Sequence, residues 1–312
     1  MARKVLLWGM GNEYENLLNS ILFEIHKGNI IVEAVVCKID DIFTSKRDGF
    51  RIVTKKDVKV LEFDYVLVTS RHYYEEIKKD AMDEGISESR IIDASVLYLP
   101  FFDFKRYVNL IENPVTIISD DCWSGYVYNR LKLPFSTPFI NIYIENEEYM
   151  KLIQNIDYYL KSELTMVREG NLQEGIFPIA ALGKGSNQVK MQLVHDATFA
   201  EGKENWDRRK ERINLENIFV KMRFSISDKN KEILIEAFKS VPWKKILFYN
   251  GDEDIYGKFE TDRFIWRQHK MDRVEYFCYY DYCRLAYKYD LDILKLLNGD
   301  SNYSRYGGGV GA

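Results

Sequence analysis

Apolar positions along the chain fall into two rhythms, short continuous runs and helically spaced stripes, and their alternation predicts βα units. "KVLLWG" is a run of buried-strand length that passes through Gly9 and Gly11 into "EYENLLNSILFEIHKG", whose apolar residues keep helical spacing until Gly28. "IIVEAVVCKI", "DYVLVTS" and "RIIDAS" read as three more strands, and "YYEEIKKDAMDEGI" as a helix stopped at Gly85. Strands alternating with helices predict a parallel sheet with right-handed crossovers.

The pattern restarts at "ENPVTIISDD", which sets a boundary near residue 112. "PFINIYI" reads as a strand. "EEYMKLIQNIDYYLKSEL" reads as one helix, with Tyr149, Leu152, Ile153, Ile156, Leu160 and Leu164 in a single stripe. "VKMQLVH" predicts a strand, "NWDRRKERINLENIF" a charged helix, and "KEILIEAFKSV" with "KKILFYN" a further helix and strand. "RVEYFCYY" and the helical "DYCRLAYKYDLDILKLL" close the pattern. The fold class is therefore α/β, as two consecutive α/β domains. Residues 1–112 form a degenerate Rossmann-like parallel sheet, residues 113–300 a larger unit, and residues 301–312 a glycine- and serine-rich tail expected not to pack.

Composition narrows the classes. With 312 residues, 46% of them hydrophobic, the chain can fill two cores. A net charge of −4 leaves no basic footprint for nucleic acid. No apolar run approaches the roughly 20 residues of a membrane span, and "MARK" leads into a strand without a signal-type apolar segment. The four cysteines, Cys37, Cys122, Cys278 and Cys283, include no CxxC pair. These features together predict a cytoplasmic, reduced protein with no membrane span.

Three stretches carry candidate chemistry. Gly9, Gly11 and Asn12 sit between a strand and a helix, where backbone amides can approach a phosphate. Tyr14 replaces the third glycine of the dinucleotide fingerprint, and Cys37 stands where a ribose-binding acid is usual, with Asp40 and Asp41 only later. A tight turn holding no ligand is the bland alternative.

In "ISDDCWSG", Cys122 stands at a helix start, which favours a thiolate; His195 would serve as base, oriented by Asp121 or Asp196. A buried structural cysteine is the commoner outcome for such a residue. Asp120 and Asp121 could instead hold Mg²⁺ or Mn²⁺ against the diphosphate of a nucleotide-sugar, and Asp252 and Asp254 of "NGDEDIYG" form another candidate metal pair. Helix capping and solvated loop acids are the competing explanations. Arg208, Arg209 and Arg212 could fork onto phosphate, with Trp206 or Trp123 stacking on sugar or base, against a salt-bridged solvated face.

Two resemblances add a context. "WGMGN", "GFRIV" before "FDYVLVTS", and "YYEEIKKDAMDEGI" resemble the Rossmann-like modules fused to capsule- and sugar-modifying bacterial proteins. "TIISDDCWSGYVYNRLKLPFSTPFINIYI", "EYMKLIQNIDYYL", "FPIAALG", "LVHDATFAEGKENWDRRKERINLENIFVKM" and "KKILFY" resemble, over residues 114–250, a domain-of-unknown-function family labelled exopolysaccharide biosynthesis protein. That resemblance marks Cys122, Trp123, Gly125, Pro134, Pro178, His195, Trp206, Arg208, Arg209 and Asn214 as family positions, and places Asp120 and Asp121 where many members have asparagines. It implies a surface-polysaccharide protein, a transferase taking a nucleotide-sugar or glycan intermediate. The alternatives are a non-catalytic binding or assembly protein, with its first half a homo-oligomerisation module, or a Cys122-dependent acyl transferase or hydrolase.

Overall fold

The computed structural model describes residues 1–37, 46–99, 101–225, 230–250, 265–267 and 292–300. Internal contacts divide the chain into two compact units, Met1–Glu112 and Asn113–Ala312.

In the first unit β1 (Arg3–Trp8), β2 (Ile30–Cys37), β3 (Lys46–Arg47), β4 (Phe50–Thr54), β5 (Tyr65–Val68) and β6 (Ile91–Asp93) form one sheet in the order β3-β4-β2-β1-β5-β6. All neighbours run parallel except the β3–β4 hairpin. Setting β3 aside, winding reverses at β1, so a crevice opens between the ends of β1 and β5, as in doubly wound sheets. The central strands are apolar on both faces: Val5, Leu6, Leu7, Val66 and Leu67 are fully buried. Helices α1 (Asn12–His26), α2 (Tyr74–Asp83) and α3 (Phe104–Glu112) belong to this unit. Sequence pattern did not assign β4 or α3, because five-residue runs such as "FRIVT" fall below a clear period.

The second unit holds β7 (Thr116–Ser119), α4 (Trp123–Leu131), α5 (Asn146–Gln154), α6 (Ile156–Lys161), β8 (Thr165–Arg168), β9 (Ile179–Leu182), β10 (Val189–Gln192), α7 (Phe199–Lys210), β11 (Ile218–Ser225), α8 (Lys231–Ser240), β12 (Lys244–Asn250) and β13 (Ile265–Arg267), with a short helix at Ile293–Asn298. A parallel sheet runs β13-β12-β11-β7, and a separate antiparallel one β10-β9-β8. The α/β class with mostly parallel sheets is as the sequence pattern predicts.

Several expected elements differ. "PFINIYI" is not a strand: its amides go to separate acceptors, Ile144 to Asp120 O and Tyr143 to Gln192 O, leaving one bridge. The expected long helix breaks at Asn155 (φ −136°, ψ 45°) into α5 and α6. The charged helix starts earlier than expected, at Phe199, where Thr198 Oγ1 accepts from the Glu201 amide, and it stops at Lys210. Residues 218–225, read partly as helix, are the strand β11, paired on both sides. Asp252, Asp254, Cys278, Cys283, Asp40, Asp41, "RVEYFCYY", most of the helix expected after it and the tail at 301–312 lie outside the described residues.

Candidate functional site

The glycine turn of the first unit is built by its neighbours. Gly9 has φ +120°, and a Cβ there would lie 3.2 Å from Thr69 Oγ1, which itself donates to Gly9 O at 2.8 Å. Gly11 caps α1 and has no side chain, so no side-chain cap occupies the first amides of the helix. Arg47, from the β3–β4 hairpin, clamps the turn: its guanidinium donates to Met10 O at 2.9 Å, pairs with Glu15 at 2.6 Å and lies over the Tyr14 ring. Tyr14 thus occupies the third-glycine position as a core residue, and its hydroxyl donates to Asp48 at 2.9 Å.

Beside this turn lies a cleft of about 1270 Å³ at the carboxyl ends of β1, β2 and β5. Gly9, Gly11 and Asn12 line one wall, Cys37 another, and Arg71 with His72 the wall beyond β5. Lys55, at the cleft edge, is spent on Asp80 at 3.0 Å. Arg71 and His72 are exposed, and neither has an ion-pair partner among the described residues. Sequence reasoning did not single them out, since "TSRHYY" is a short polar turn without a pattern.

In the second unit the strand ends are organised differently. β7 ends at Ser119, and Lys221 of β11 is paired with it in register. The Lys221 ammonium, fully buried, donates to Asp120 Oδ1 at 2.9 Å and to Asp121 Oδ2 at 2.6 Å. The second oxygen of Asp120 accepts from the Arg223 amide at 2.9 Å, and that of Asp121 from the Trp123 amide at 3.0 Å. Arg223 Nε lies 4.0 Å from Asp121. Every carboxylate oxygen is therefore engaged, and the ammonium sits between the two aspartates where a divalent ion would sit.

The two acids titrate apart. Burial raises the Asp120 pKa to about 6, with Asp121 adding to the rise and Lys221 and Arg223 opposing it. Burial also pushes Asp121 upward, but Lys221, Arg223 and the Trp123 amide outweigh it and hold Asp121 below the usual carboxylate range. Tyr143, half-buried nearby, is pushed to about 12 by burial, then by Glu145 and Asp120, with Arg223 opposing.

Placement corrects much of the expected site. Asp120 does not present free oxygens to a metal, and among the described residues no three His, Cys, Asp or Glu side chains cluster as metal ligands. Cys122 is 3% exposed, and Asp121, bonded to Lys221 and the Trp123 amide, does not reach His195 by any hydrogen bond among the described residues. Trp123 and Trp206 are core residues, packed on Phe219 with Phe248 and on Phe139 respectively, so neither offers a stacking face. His195 is exposed in the turn after β10, while its neighbour Asp196 is buried and accepts from Asn205 at 3.0 Å.

The arginines do not share one environment. Arg208 is exposed and donates to Asn205 at 2.7 Å, and Arg212 is exposed beyond the helix end. Arg209 turns inward over Phe135; burial lowers its pKa, Asp196 opposes this, and its buried Nε has no hydrogen-bond partner among the described residues. Asn214 is tied to the amino end of β7, donating to Pro114 O and accepting from the Glu216 amide, so it lies away from the strand ends that carry Asp120. Lys221, Arg223 and Tyr143 were missed because a lysine inside "IFVKMRFS" reads as an interruption of the apolar run.

Comparison with known families matches residues 94–298 to the family described as "Domain of unknown function (DUF1919)". The chain belongs to the DUF1919 family. Residues 1–92 match a second description, "C2185-like, N-terminal". A protein of Haemophilus influenzae whose printed name is "Uncharacterized protein" is 30% identical over 142 residues, covering 45% of this chain and 63% of that protein. The chain thus matches less than two thirds of that relative's length. No described helix is long and apolar enough to cross a membrane.

Proposed function

We propose that this protein is a cytoplasmic transferase of surface-polysaccharide biosynthesis that holds a nucleotide-activated sugar by its diphosphate at the first-unit glycine turn. The observation that carries the ligand class is the uncapped N-terminus of α1 at the cleft that Arg71 and His72 also line, neither with an ion-pair partner among the described residues. Helix-start amides and the helix dipole favour an anion, and forked guanidinium nitrogens match phosphate oxygens. Cys37 stands where dinucleotide-binding sheets usually carry a ribose-binding acid, so the turn departs from the NAD fingerprint. The pathway rests on the motif resemblance of residues 114–250. A second reading is favoured by the sealed Asp120–Lys221–Asp121 network: a non-catalytic binding protein of the same pathway, with its second unit a structural partner.

Gly11→Asp tests the ligand site cleanly. A Cβ at Gly11 meets nothing within 4 Å, and an aspartate there would cap α1 with its own carboxylate, leaving folding intact within a few tenths of a kcal/mol. Calorimetry with UDP and GDP should show micromolar to millimolar binding to the unaltered protein, loss in Gly11→Asp, and about tenfold weakening in Arg71→Ala. Binding indifferent to both substitutions would overturn the proposal.

A further inference from the structure

A second concavity, of about 460 Å³, lies wholly within the second unit beside β10. Its lining combines Tyr143 with Glu145, Glu148, Gln188 and Gln192 over a floor that includes Met191. We infer that this pocket is a saccharide-binding site, taking an uncharged, hydroxyl-rich ligand. The inference goes beyond the nucleotide reading and does not depend on it.

Unspent hydrogen-bonding capacity is the first argument. The side-chain carboxamides of Gln188 and Gln192 have no hydrogen-bond partner among the described residues, although both residues are partly buried. Each carboxamide offers two donors and a carbonyl acceptor, which matches a hydroxyl's ability to donate and accept together. Their backbones are meanwhile fixed. Gln192 exchanges two hydrogen bonds with Tyr143, at 2.9 and 2.8 Å, and the Gln188 amide donates to Gly185 O at 3.2 Å. The donors and acceptors are therefore presented from held positions, which lowers the ordering cost of binding.

Charge gives the second argument. Glu148 is held by the Lys190 amide at 3.1 Å and the Lys151 ammonium at 2.9 Å, and Glu145 adds a second carboxylate to the lining. Glu145, the paired Glu148 and Lys190 leave the lining with no excess of positive charge for phosphate or carboxylate ligands, while the carboxylates can accept from hydroxyls. Lys190 is the one cation among the lining residues, and its side chain is exposed. The phenol ring of Tyr143 and the partly buried Ile179 supply apolar surface for the C–H face of a sugar ring. The volume falls within the range of small-ligand sites and admits a short saccharide.

The pocket also adjoins the strand-end cluster. Tyr143 lines it and sits in the field of Asp120 and Arg223, and the next residue, Ile144, donates its amide to Asp120 O at 2.9 Å. A sugar resting on Tyr143 would therefore lie beside the carboxyl ends of β7 and β11.

The test is saturation-transfer NMR on the full chain with the methyl glycosides of glucose, galactose, N-acetylglucosamine and rhamnose at millimolar concentration. At least one glycoside should receive transfer, fall about tenfold in affinity in the Gln188→Ala/Gln192→Leu double variant, and keep its affinity in Gly11→Asp, as expected for two lost hydrogen bonds. Tyr143→Phe, which keeps the ring, should retain most of the transfer, whereas Tyr143→Ala should reduce it. No transfer to any of the four glycosides while UDP still binds would overturn this inference and leave the nucleotide reading standing. Transfer lost in Gly11→Asp but unchanged in the glutamine double variant would place the sugar in the first-unit cleft and equally overturn it.

Discussion

At the carboxyl ends of its strands the first unit keeps glycines, a helix start without a side-chain cap and an Arg71 with no ion-pair partner among the described residues, whereas the second unit places two aspartates and a lysine there and joins them to one another. Both positions are where open parallel sheets usually meet ligands. In the first unit the polar groups are left for something else to satisfy. In the second they satisfy each other, and the groups without a partner among the described residues lie one step away, at the Gln188 and Gln192 carboxamides. The position in a fold thus shows where chemistry can be, but the bookkeeping of hydrogen bonds shows which groups remain for it.

The largest expected effect tests whether the second site is closed. Lys221→Met would leave two buried carboxylates without their ammonium and should cost about 3–5 kcal/mol in urea denaturation. A loss under about 1 kcal/mol would mean that water or another cation replaces the lysine, and the contrast between the units would collapse.

Titration sharpens the same comparison. The folded-state pKa of Asp120 is raised to about 6 from 3.8, so the native state holds a proton that the unfolded chain has already released within that window. Its charged form opposes folding above about pH 6, and the penalty disappears as pH falls below about 4. The stability of the unaltered protein relative to Asp120→Asn should therefore rise by on the order of 2–3 kcal/mol on acidification across that range. Asp121 runs the other way, since its lowered pKa adds stability above the unfolded value and loses it in acid, and because it interacts with Asp120 and shares Lys221 with it the difference reports the pair. A flat difference across the window would show that Asp120 is not desolvated.

The smallest of the three concerns the open site. Gly9→Ala forces a side chain into φ +120° with its Cβ 3.2 Å from Thr69 Oγ1, and should cost about 1–2 kcal/mol while weakening UDP binding. If stability and binding are both unchanged, the turn is not held in the shape described.

The glycine turn was legible in the sequence because Gly9 and Gly11 punctuate two strong periodic segments. The strand-end aspartates were legible as an unusual cluster but not as an ion network, because their partner is a hundred residues away in a strand that looked interrupted. Trp206 shows a different limit. In a helix as charged as "ENWDRRKER" an indole invites a ligand-binding reading, yet rotation of the helix turns it onto Phe139 and carries Arg209 inward with it. Spacing put Arg208 and Arg212 on one expected helix face, but the helix ends at Lys210, and which face meets the core is decided by packing that no local pattern records. The alternation in "PFINIYI" was real, yet without a neighbouring strand along its length it pairs only at Tyr143.

The buried lysine also bears on how the second sheet assembles. Ser119 pairs with Lys221, and the ammonium meets both aspartates only in that alignment. Sliding β7 along β11 by one residue would turn its pleat over and carry Asp120 and Asp121 away from Lys221, leaving a buried ammonium without them at a cost of several kcal/mol. The correct alignment avoids that cost, so a group that contributes little net stability can still reject misaligned pairings. Such a residue works as a checkpoint on strand alignment, reached only after a chain segment of about a hundred residues has closed into a loop.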